Sequence, residues 1–216
     1  MPIFLKNDKV VFFVHIPKSA GSAVERIARN LGWAEEFSIR KKSLNDIKYC
    51  KSSFQHLHAE VLDLIFKFEE MDSVFTIVRD PFLRLKSEYY WQTKQGITNL
   101  NIKDWICDTF DKYESNNYVY DNHIRPQVEF LPSGSNIKIF KLEEGGVLKA
   151  KNELLRVDPY YNRYLEFFRN VWFKIVNSES DKVSSKDQKI EDEFMSYKDI
   201  IFEFYKNDYL AFSYDI

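Results

Sequence analysis

Residues 17–22 combine side chains that bind anions. Lys18 supplies a cation, Ser19 and Ser22 supply hydroxyl groups, and Gly21 permits a tight backbone turn. The segment precedes a helical pattern, and the free N–H groups at a helix N-terminus favour a phosphate. Because the lysine comes before the glycine, the segment does not match the Walker A pattern GxxxxGK[ST]. It predicts a ligand that carries phosphate without being a typical nucleoside triphosphate; an ordinary polar turn is the alternative.

A second candidate anion site lies about sixty residues later, at Arg79 and Ser87. A guanidinium group binds a phosphate through two N–H groups, and a serine hydroxyl adds a further hydrogen bond. In the alternative interpretation, Arg79 forms a surface salt bridge with Asp80 or Glu88.

Two of the four histidines, His56 and His58, are separated by one residue. In an extended segment this spacing puts both side chains on one side. They are candidates for a general base and its assistant, for a pair of metal ligands, or for a purely structural pair. His123 and Arg125 lie in the polar segment DNHIRPQ and are candidates for contacts with a substrate.

The elements that must position these residues follow from the hydrophobic patterns. Apolar runs at residues 10–14 and 73–78 predict buried strands, each followed by a polar loop and a helix. This alternation predicts an α/β fold with a central, mostly parallel sheet flanked by helices. Further patterns predict helices at residues 59–71, 81–91, 101–113, 142–157 and 185–205, and strands at residues 137–140 and 171–176.

The composition excludes several protein classes. The 216 residues include 31 basic and 33 acidic ones, so the net charge of −2 argues against nucleic-acid binding. Two cysteines cannot form a disulfide framework, and no apolar run is long enough for a membrane helix. We expect residues 1–216 to form a single domain that is soluble and cytoplasmic, or located in the Golgi lumen if an anchor has been removed. The aromatic content of 17% predicts an aromatic core, with a sugar-stacking surface as the alternative.

Together, the motifs resemble a known enzyme family. HIPKSAGSAV, followed by IVRDPFLRLKSEYY, is similar to the carbohydrate sulfotransferases, in the branch of the heparan sulfate 2-O- and chondroitin 4-O-sulfotransferases. The resemblance implies a three-layer, P-loop-like fold and the sulfuryl donor PAPS, which leaves as adenosine 3′,5′-bisphosphate. It implies that the 5′ end of PAPS is held by Lys18, Ser19, Ala20, Gly21 and Ser22. It assigns the 3′-phosphate to Arg79 and Ser87.

The resemblance also implies how the reaction proceeds. His58 would be the general base for in-line attack by an acceptor hydroxyl, most simply that of a carbohydrate, with His56 assisting. Lys18 would offset the charge that grows on the leaving group, and no metal would be required. The segment with His123 and Arg125 looks like an HxRPQ element found in bacterial members, and residues 174–178 resemble a loop near the cofactor. The alternatives are a P-loop kinase-like phosphotransferase and an inactive nucleotide-binding module. The oligomeric state and the acceptor cannot be read from the sequence.

Overall fold

The computed structural model describes residues 1–38, 49–134, 136–158, 160 and 192–215. Within these ranges the fold is mixed α/β, with five strands in one sheet. The strands are β1 (Ile3–Lys6), β2 (Lys9–Val14), β3 (Ala34–Glu36), β4 (Ser73–Val78) and β5 (Lys138–Lys141). The helices used below are α1 (Gly21–Asn30), α2 (Ala59–Ile65), α3 (Pro81–Gln95), α4 (Ile102–Ser115), α5 (Gly146–Val157), α6 (Lys198–Phe204) and α7 (Lys206–Phe212).

The order of the strands is β3-β1-β2-β4-β5. The pairs β2–β4 and β4–β5 are parallel, whereas β1 pairs antiparallel with both β2 and β3. The prediction of a mostly parallel sheet therefore describes only the β2–β4–β5 part. The difference arises at the N-terminus, where a two-residue turn joins β1 to β2 and so permits only antiparallel pairing. Asn7, in that turn, has the positive φ of 56° that tight hairpin turns require.

The parallel centre of the sheet is buried on both faces. All six residues of β4 are buried, as are the last four of β2. On one face, Phe13 and Phe75 pack with residues of α1 and α5. On the other face, Phe12 and Val78 pack with residues of α2 and with Phe130. Since β2 and β4 are adjacent and parallel, their carboxyl ends lie side by side, and the loops that follow them meet.

The helix α3, which carries Ser87, is fixed at both ends. The side chain of Asp80 caps its N-terminus by accepting a hydrogen bond from the Leu83 amide at 2.8 Å, and Pro81 occupies the first turn. Gly96, in the left-handed conformation, ends the helix. A third apolar cluster, which includes Trp105, packs α3 against α4, α6 and α7. This packing fixes the position of α3 and of the polar side chains that it carries.

Other predicted elements agree only in part. The pattern at residues 59–71 forms α2 and then a separate 3₁₀ turn, Phe68–Glu70. A single helix is predicted over residues 185–205, but within its described part a turn at residues 196–197 separates a helical turn at 192–195 from α6. The predicted strand at 171–176 and the loop at 174–178 lie outside the described residues. None of the described helices is long and apolar enough to cross a membrane.

Candidate active site

A cavity of about 720 Å³ opens at the carboxyl ends of β2 and β4. Most of the lining comes from the loop after β2 with the start of α1, from the 3₁₀ turn Phe54–His56, from Arg79 and the following helix α3, and from residues 120–123; Ile97 and Leu142 complete it. Eight of the eleven site residues predicted from the sequence line the cavity, namely Lys18, Ala20, Gly21, Ser22, His56, Arg79, Ser87 and His123. The other three, Ser19, His58 and Arg125, do not.

The loop between β2 and α1 holds its shape through unusual backbone conformations. Lys18 and Ala20 both have φ values of 65°, in the left-handed region that costs a non-glycine residue about 1–2 kcal/mol. Ala20 is the N-cap of α1 and provides no side-chain hydrogen bond to the first turn. The first turn of α1 thus lacks a side-chain cap, and its residues Gly21 and Ser22 line the cavity, which suits an anionic ligand. Ser19 is buried, with its hydroxyl 3.4 Å from Oε1 of Gln127.

Gly21 is required by a close contact with His15. A Cβ atom at this position would lie 2.0 Å from Nε2 of His15. His15 is itself buried, and its Nδ1 atom lies 2.9 Å from both Nε2 of Gln55 and Oε1 of Glu25. Burial lowers the pKa of His15 to about 3, so its ring is neutral near physiological pH. The ring packs directly against the first residue of α1.

Arg79 is joined to the first loop through Gln127. The backbone N–H of Arg79 donates to Oε1 of Gln127 at 2.9 Å, and Nε2 of Gln127 donates to the Arg79 carbonyl at 2.8 Å. The guanidinium group donates to the carbonyl of Lys18 at 3.3 Å. Its Nε atom is buried and has no hydrogen-bond partner among the described residues. A buried donor without a partner is costly, and an anion in the cavity would supply the missing acceptor.

His56 is oriented by a carboxylate. Its Nδ1 atom lies 2.7 Å from Oδ2 of Asp121. The same carboxylate accepts a hydrogen bond from the Ser53 amide at Oδ1 and one from the Ser53 hydroxyl at Oδ2. Burial lowers the pKa of His56. Although burial acts to raise the pKa of Asp121, the bonds from His56 and Ser53 lower it overall. The pair therefore consists of a neutral imidazole and a carboxylate.

The turn that carries Asp121 is strained. Tyr120, Asp121 and Asn122 have φ values of 49°, 58° and 63°, three consecutive left-handed residues with no glycine among them. The side chain of Asn122 donates to the carbonyl of His56 at 2.7 Å and accepts from Nε of Arg125 at 3.1 Å. Such strain persists only where surrounding contacts maintain it, and it is typical of functional sites.

His58 lies outside the cavity. It is the N-cap residue of α2, is buried, and packs against the ring of Tyr118 at 5.4 Å. Its Nε2 atom lies 3.5 Å from the Glu60 carboxylate, and its Nδ1 atom has no hydrogen-bond partner among the described residues. The two histidines diverge because His56 ends a 3₁₀ turn rather than lying in an extended segment. The geometry thus favours His56 over His58 for contact with a substrate.

Arg125 also has a supporting position. It is buried, donates to Asn122, to Glu129 and to the Asn117 carbonyl, and packs against the Tyr118 ring. These contacts hold the strained turn in place, so the predicted substrate contact from Arg125 has no support in the geometry.

A scan against protein families matches a model described as the sulfotransferase family to residues 1–215. The chain belongs to the sulfotransferase family. No significant match was found among curated proteins or among solved structures.

The sulfotransferase cavity contains a second histidine–carboxylate pair. Nδ1 of His123 lies 2.7 Å from Oε2 of Glu88, whose other oxygen accepts a hydrogen bond from Gln92 at 2.8 Å. Gln92 in turn accepts one from the indole of Trp105 at 2.9 Å. Although burial acts to raise the pKa of Glu88, the charge and hydrogen bond of His123 lower it overall. Arg84, buried beneath, donates to the His123 and Arg125 carbonyls and so fixes the backbone of this segment.

The cavity therefore gathers three of the four histidines of this sulfotransferase. The ring centroid of His56 lies 5.1 Å from that of His15 and 5.0 Å from that of His123. Ligand atoms of His56, Asp121 and His123 lie within 4.8 Å of one another and could together hold a metal ion. In this structure Asp121 instead pairs with His56 and Ser53, and no metal is needed to explain its position.

Sequence reasoning missed several contributors to the sulfotransferase site. They are His15, Gln55, Glu88, Trp91, Asp121 and Gln127. For Asp121 and Gln127 a signal existed, because they are the first and last residues of the segment DNHIRPQ, which also contains His123 and Arg125. For Glu88 the only signal was its position next to Ser87.

Proposed function

We propose that this sulfotransferase transfers the sulfuryl group of PAPS to a hydroxyl group of a carbohydrate. One observation carries the proposal: the loop containing Lys18, the Arg79–Ser87 segment and the imidazole of His56 line the same cavity. Cations and a proton acceptor around one space are what sulfuryl transfer to an alcohol requires. The same proposal includes a single domain over residues 1–216. It also includes membership of the carbohydrate branch of the family.

The donor fits the residues of the two loops. The uncapped start of α1, with Lys18 and Ser22, suits the 5′-phosphosulfate end. Arg79, with its unpartnered Nε atom, and Ser87 suit the 3′-phosphate. Bound PAPS would supply an activated sulfuryl group whose leaving group is a phosphate. Burial lowers the pKa of Lys18, and Arg79 lowers it further, while Glu88 opposes both effects.

We assign the general base to His56 instead of His58. Since the Asp121 carboxylate can only accept a hydrogen bond, Nδ1 of His56 carries the proton and Nε2 keeps its lone pair. His56 takes the proton of the acceptor hydroxyl as the new oxygen–sulfur bond forms and the sulfur–oxygen bond to the phosphate breaks. Lys18 offsets the negative charge that develops on the departing phosphate. The remaining rate enhancement comes from positioning the two substrates.

Ligand-induced stabilisation tests the donor assignment. At a hundredfold excess over its dissociation constant, adenosine 3′,5′-bisphosphate should stabilise the fold by about 2.7 kcal/mol. AMP, which lacks the 3′-phosphate, should stabilise it much less. Arg79→Ala should reduce the effect of the bisphosphate to that of AMP. Lys94→Ala, which removes an exposed cation from α3 outside the cavity, should preserve it.

Equal thermal shifts with AMP and the bisphosphate would overturn the assignment of Arg79 and Ser87. Transfer of ³⁵S-labelled sulfate from PAPS to a panel of glycans, lipids and phenols then tests the acceptor. A preference for phenols or lipids would be consistent with sulfotransferase activity but would contradict the proposed carbohydrate acceptor.

A further inference from the structure

Trp91 presents an aromatic face to the cavity. It lies four residues after Ser87 on α3, so both side chains project from the same side of the helix. The side chain is 37% exposed, whereas Trp33 and Trp105, the other tryptophans with described positions, are 3% and 0% exposed. A large apolar ring at the mouth of a cavity is typical of a ligand-binding surface.

The position of this ring relates it to the chemistry. Nζ of Lys18 lies 5.2 Å from the centroid of the Trp91 ring, and the ring of His123 lies 5.2 Å away on a plane tilted by 45°. Trp91 therefore borders both the cation assigned to the donor and an imidazole fixed by Glu88.

The surroundings of Trp91 mix one apolar surface with several polar groups. Ile97, half exposed, extends the apolar surface. His123, Tyr120 and Gln55 also line the cavity and carry groups that hydrogen-bond hydroxyls. A sugar ring has this combination of an apolar C–H face and a rim of hydroxyl groups. A phenol has only one hydroxyl group for the same set of partners.

We propose that Trp91 is the platform on which a sugar ring of the acceptor stacks, while Nε2 of His123 hydrogen-bonds one of its hydroxyl groups. The proposal rests on the proposed function and deepens it by placing the acceptor. Glu88 acts as a positioning residue, since its hydrogen bond to Nδ1 fixes which nitrogen of His123 faces the cavity.

Variants of Trp91 test the platform. Trp91→Ala should raise the KM for the sugar acceptor about 3- to 10-fold, the range expected for the loss of one aromatic contact. Trp91→Phe, which retains an aromatic face, should raise it less than about threefold. Neither change should alter bisphosphate affinity measured by calorimetry. Tyr49→Ala, at a highly exposed aromatic residue outside the cavity, serves as the control and should leave KM unchanged.

Fluorescence provides a readout that does not depend on turnover. With bisphosphate bound, titration with lactose or N-acetylchitotriose should shift the tryptophan emission of the wild-type protein but not that of Trp91→Phe. If neither sugar shifts the emission while 4-nitrophenol does, the site is a phenol site and the sugar platform is wrong. If sugars bind and react equally well in Trp91→Ala, the platform is wrong while the proposed function stands. If the bisphosphate does not bind the wild-type protein, the proposed function itself fails.

Discussion

The Nδ1 atom of His56 lies 2.7 Å from Oδ2 of Asp121, and 65 residues separate the two along the chain. Asp121 reaches this position from a turn of three left-handed residues, and Ser53 holds both of its oxygens. The contact fixes the tautomer of His56, because a carboxylate accepts hydrogen bonds and cannot donate them. An oriented, neutral imidazole whose other nitrogen is free is the form that a general base requires.

The first prediction separates the two neighbouring histidines. His56→Ala should lower kcat by about 10² to 10⁴, the usual cost of losing a positioned base. It should leave bisphosphate affinity nearly unchanged, because the donor loops do not depend on this imidazole. His58→Ala is the matched control and should lower kcat less than about tenfold, since its effect is confined to packing at the start of α2. The measurements are turnover and calorimetric binding on the same preparations. A larger loss of kcat in His58→Ala than in His56→Ala would mean that His58, and not His56, is the general base.

The second prediction concerns the orientation of His56 by Asp121. Asp121→Asn replaces an obligatory acceptor with an amide that can donate a hydrogen bond, so the tautomer of His56 is no longer fixed. We expect kcat to fall about 10²-fold or more, with a smaller change in acceptor KM. The same substitution should lower the melting temperature, because the hydrogen bonds from Ser53 weaken. Turnover of Asp121→Asn within about threefold of the wild-type value would contradict a role in orienting the base.

The third prediction is a pH dependence of stability. Burial lowers the pKa of both His15 and His56, so the folded protein does not bind these protons until the pH approaches about 3. In the unfolded chain a histidine has a pKa of about 6.5. The unfolded state therefore binds more protons below pH 6.5, and stability must fall as the pH decreases from there towards about 3. Each histidine should contribute a slope of about 1.4 kcal/mol per pH unit.

Denaturant unfolding between pH 6.5 and 5 measures this slope before most carboxylates titrate. In His56→Gln the slope should decrease by about 1.4 kcal/mol per pH unit, which is the contribution of one proton. An unchanged slope would mean that His56 is protonated in the folded protein. For the same reason, the acid limb of the activity profile should lie below pH 6.5.

The fourth prediction concerns the contact between Gly21 and His15. Alanine normally stabilises a helix relative to glycine by about 0.5–1 kcal/mol, but here its Cβ would lie 2.0 Å from the imidazole. Gly21→Ala should therefore destabilise the protein and weaken bisphosphate binding. The double variant Gly21→Ala/His15→Ala should recover part of the loss, because the obstructing ring is gone. Additive effects in this cycle, measured by denaturant unfolding, would contradict a direct clash.

The fifth prediction is that turnover does not need a metal ion. Activity measured in EDTA should equal activity measured with Mg²⁺, because the proposed chemistry relies on Lys18 and His56. Added Zn²⁺ should inhibit, since His56, Asp121 and His123 offer ligand atoms close together. Loss of activity on chelation, with recovery on addition of one metal, would instead make these three residues a metal centre.

The parts of the site that lie in continuous motifs could be predicted from the sequence. Arg79 directly follows β4, Lys18 lies in the loop that follows β2, and adjacent parallel strands bring both loops to one edge of the sheet. His56 and His58 do not share one side as expected, because the extended segment predicted for them is a 3₁₀ turn that ends at His56. Partners such as Asp121 for His56 and Gln127 for Arg79 depend on contacts between distant residues, and a single sequence carries no information about these.

The same reasoning applies to the fold. The buried runs of β2 and β4 are strong local signals, and both strands lie within one residue of their predicted bounds. The N-terminal hairpin is not predicted, because the apolar pattern indicates a strand only at residues 10–14 and no strand at residues 3–6. The turn between β1 and β2 consists of Asn7 and Asp8, without a glycine, so the signal for a reversal was weak.

Gln127 links Arg79 and Ser19, and its own backbone depends on Asp208. The carboxylate of Asp208, in α7, accepts hydrogen bonds from the amides of Gln127 and Val128 at 2.8 and 3.0 Å. The donor loops at residues 18 and 79 thus receive support from a helix more than a hundred positions later in the chain. During translation the N-terminal part emerges first, so the sheet can assemble while α7 is still inside the ribosome. The proposed donor site is therefore complete only after α7 has emerged and docked.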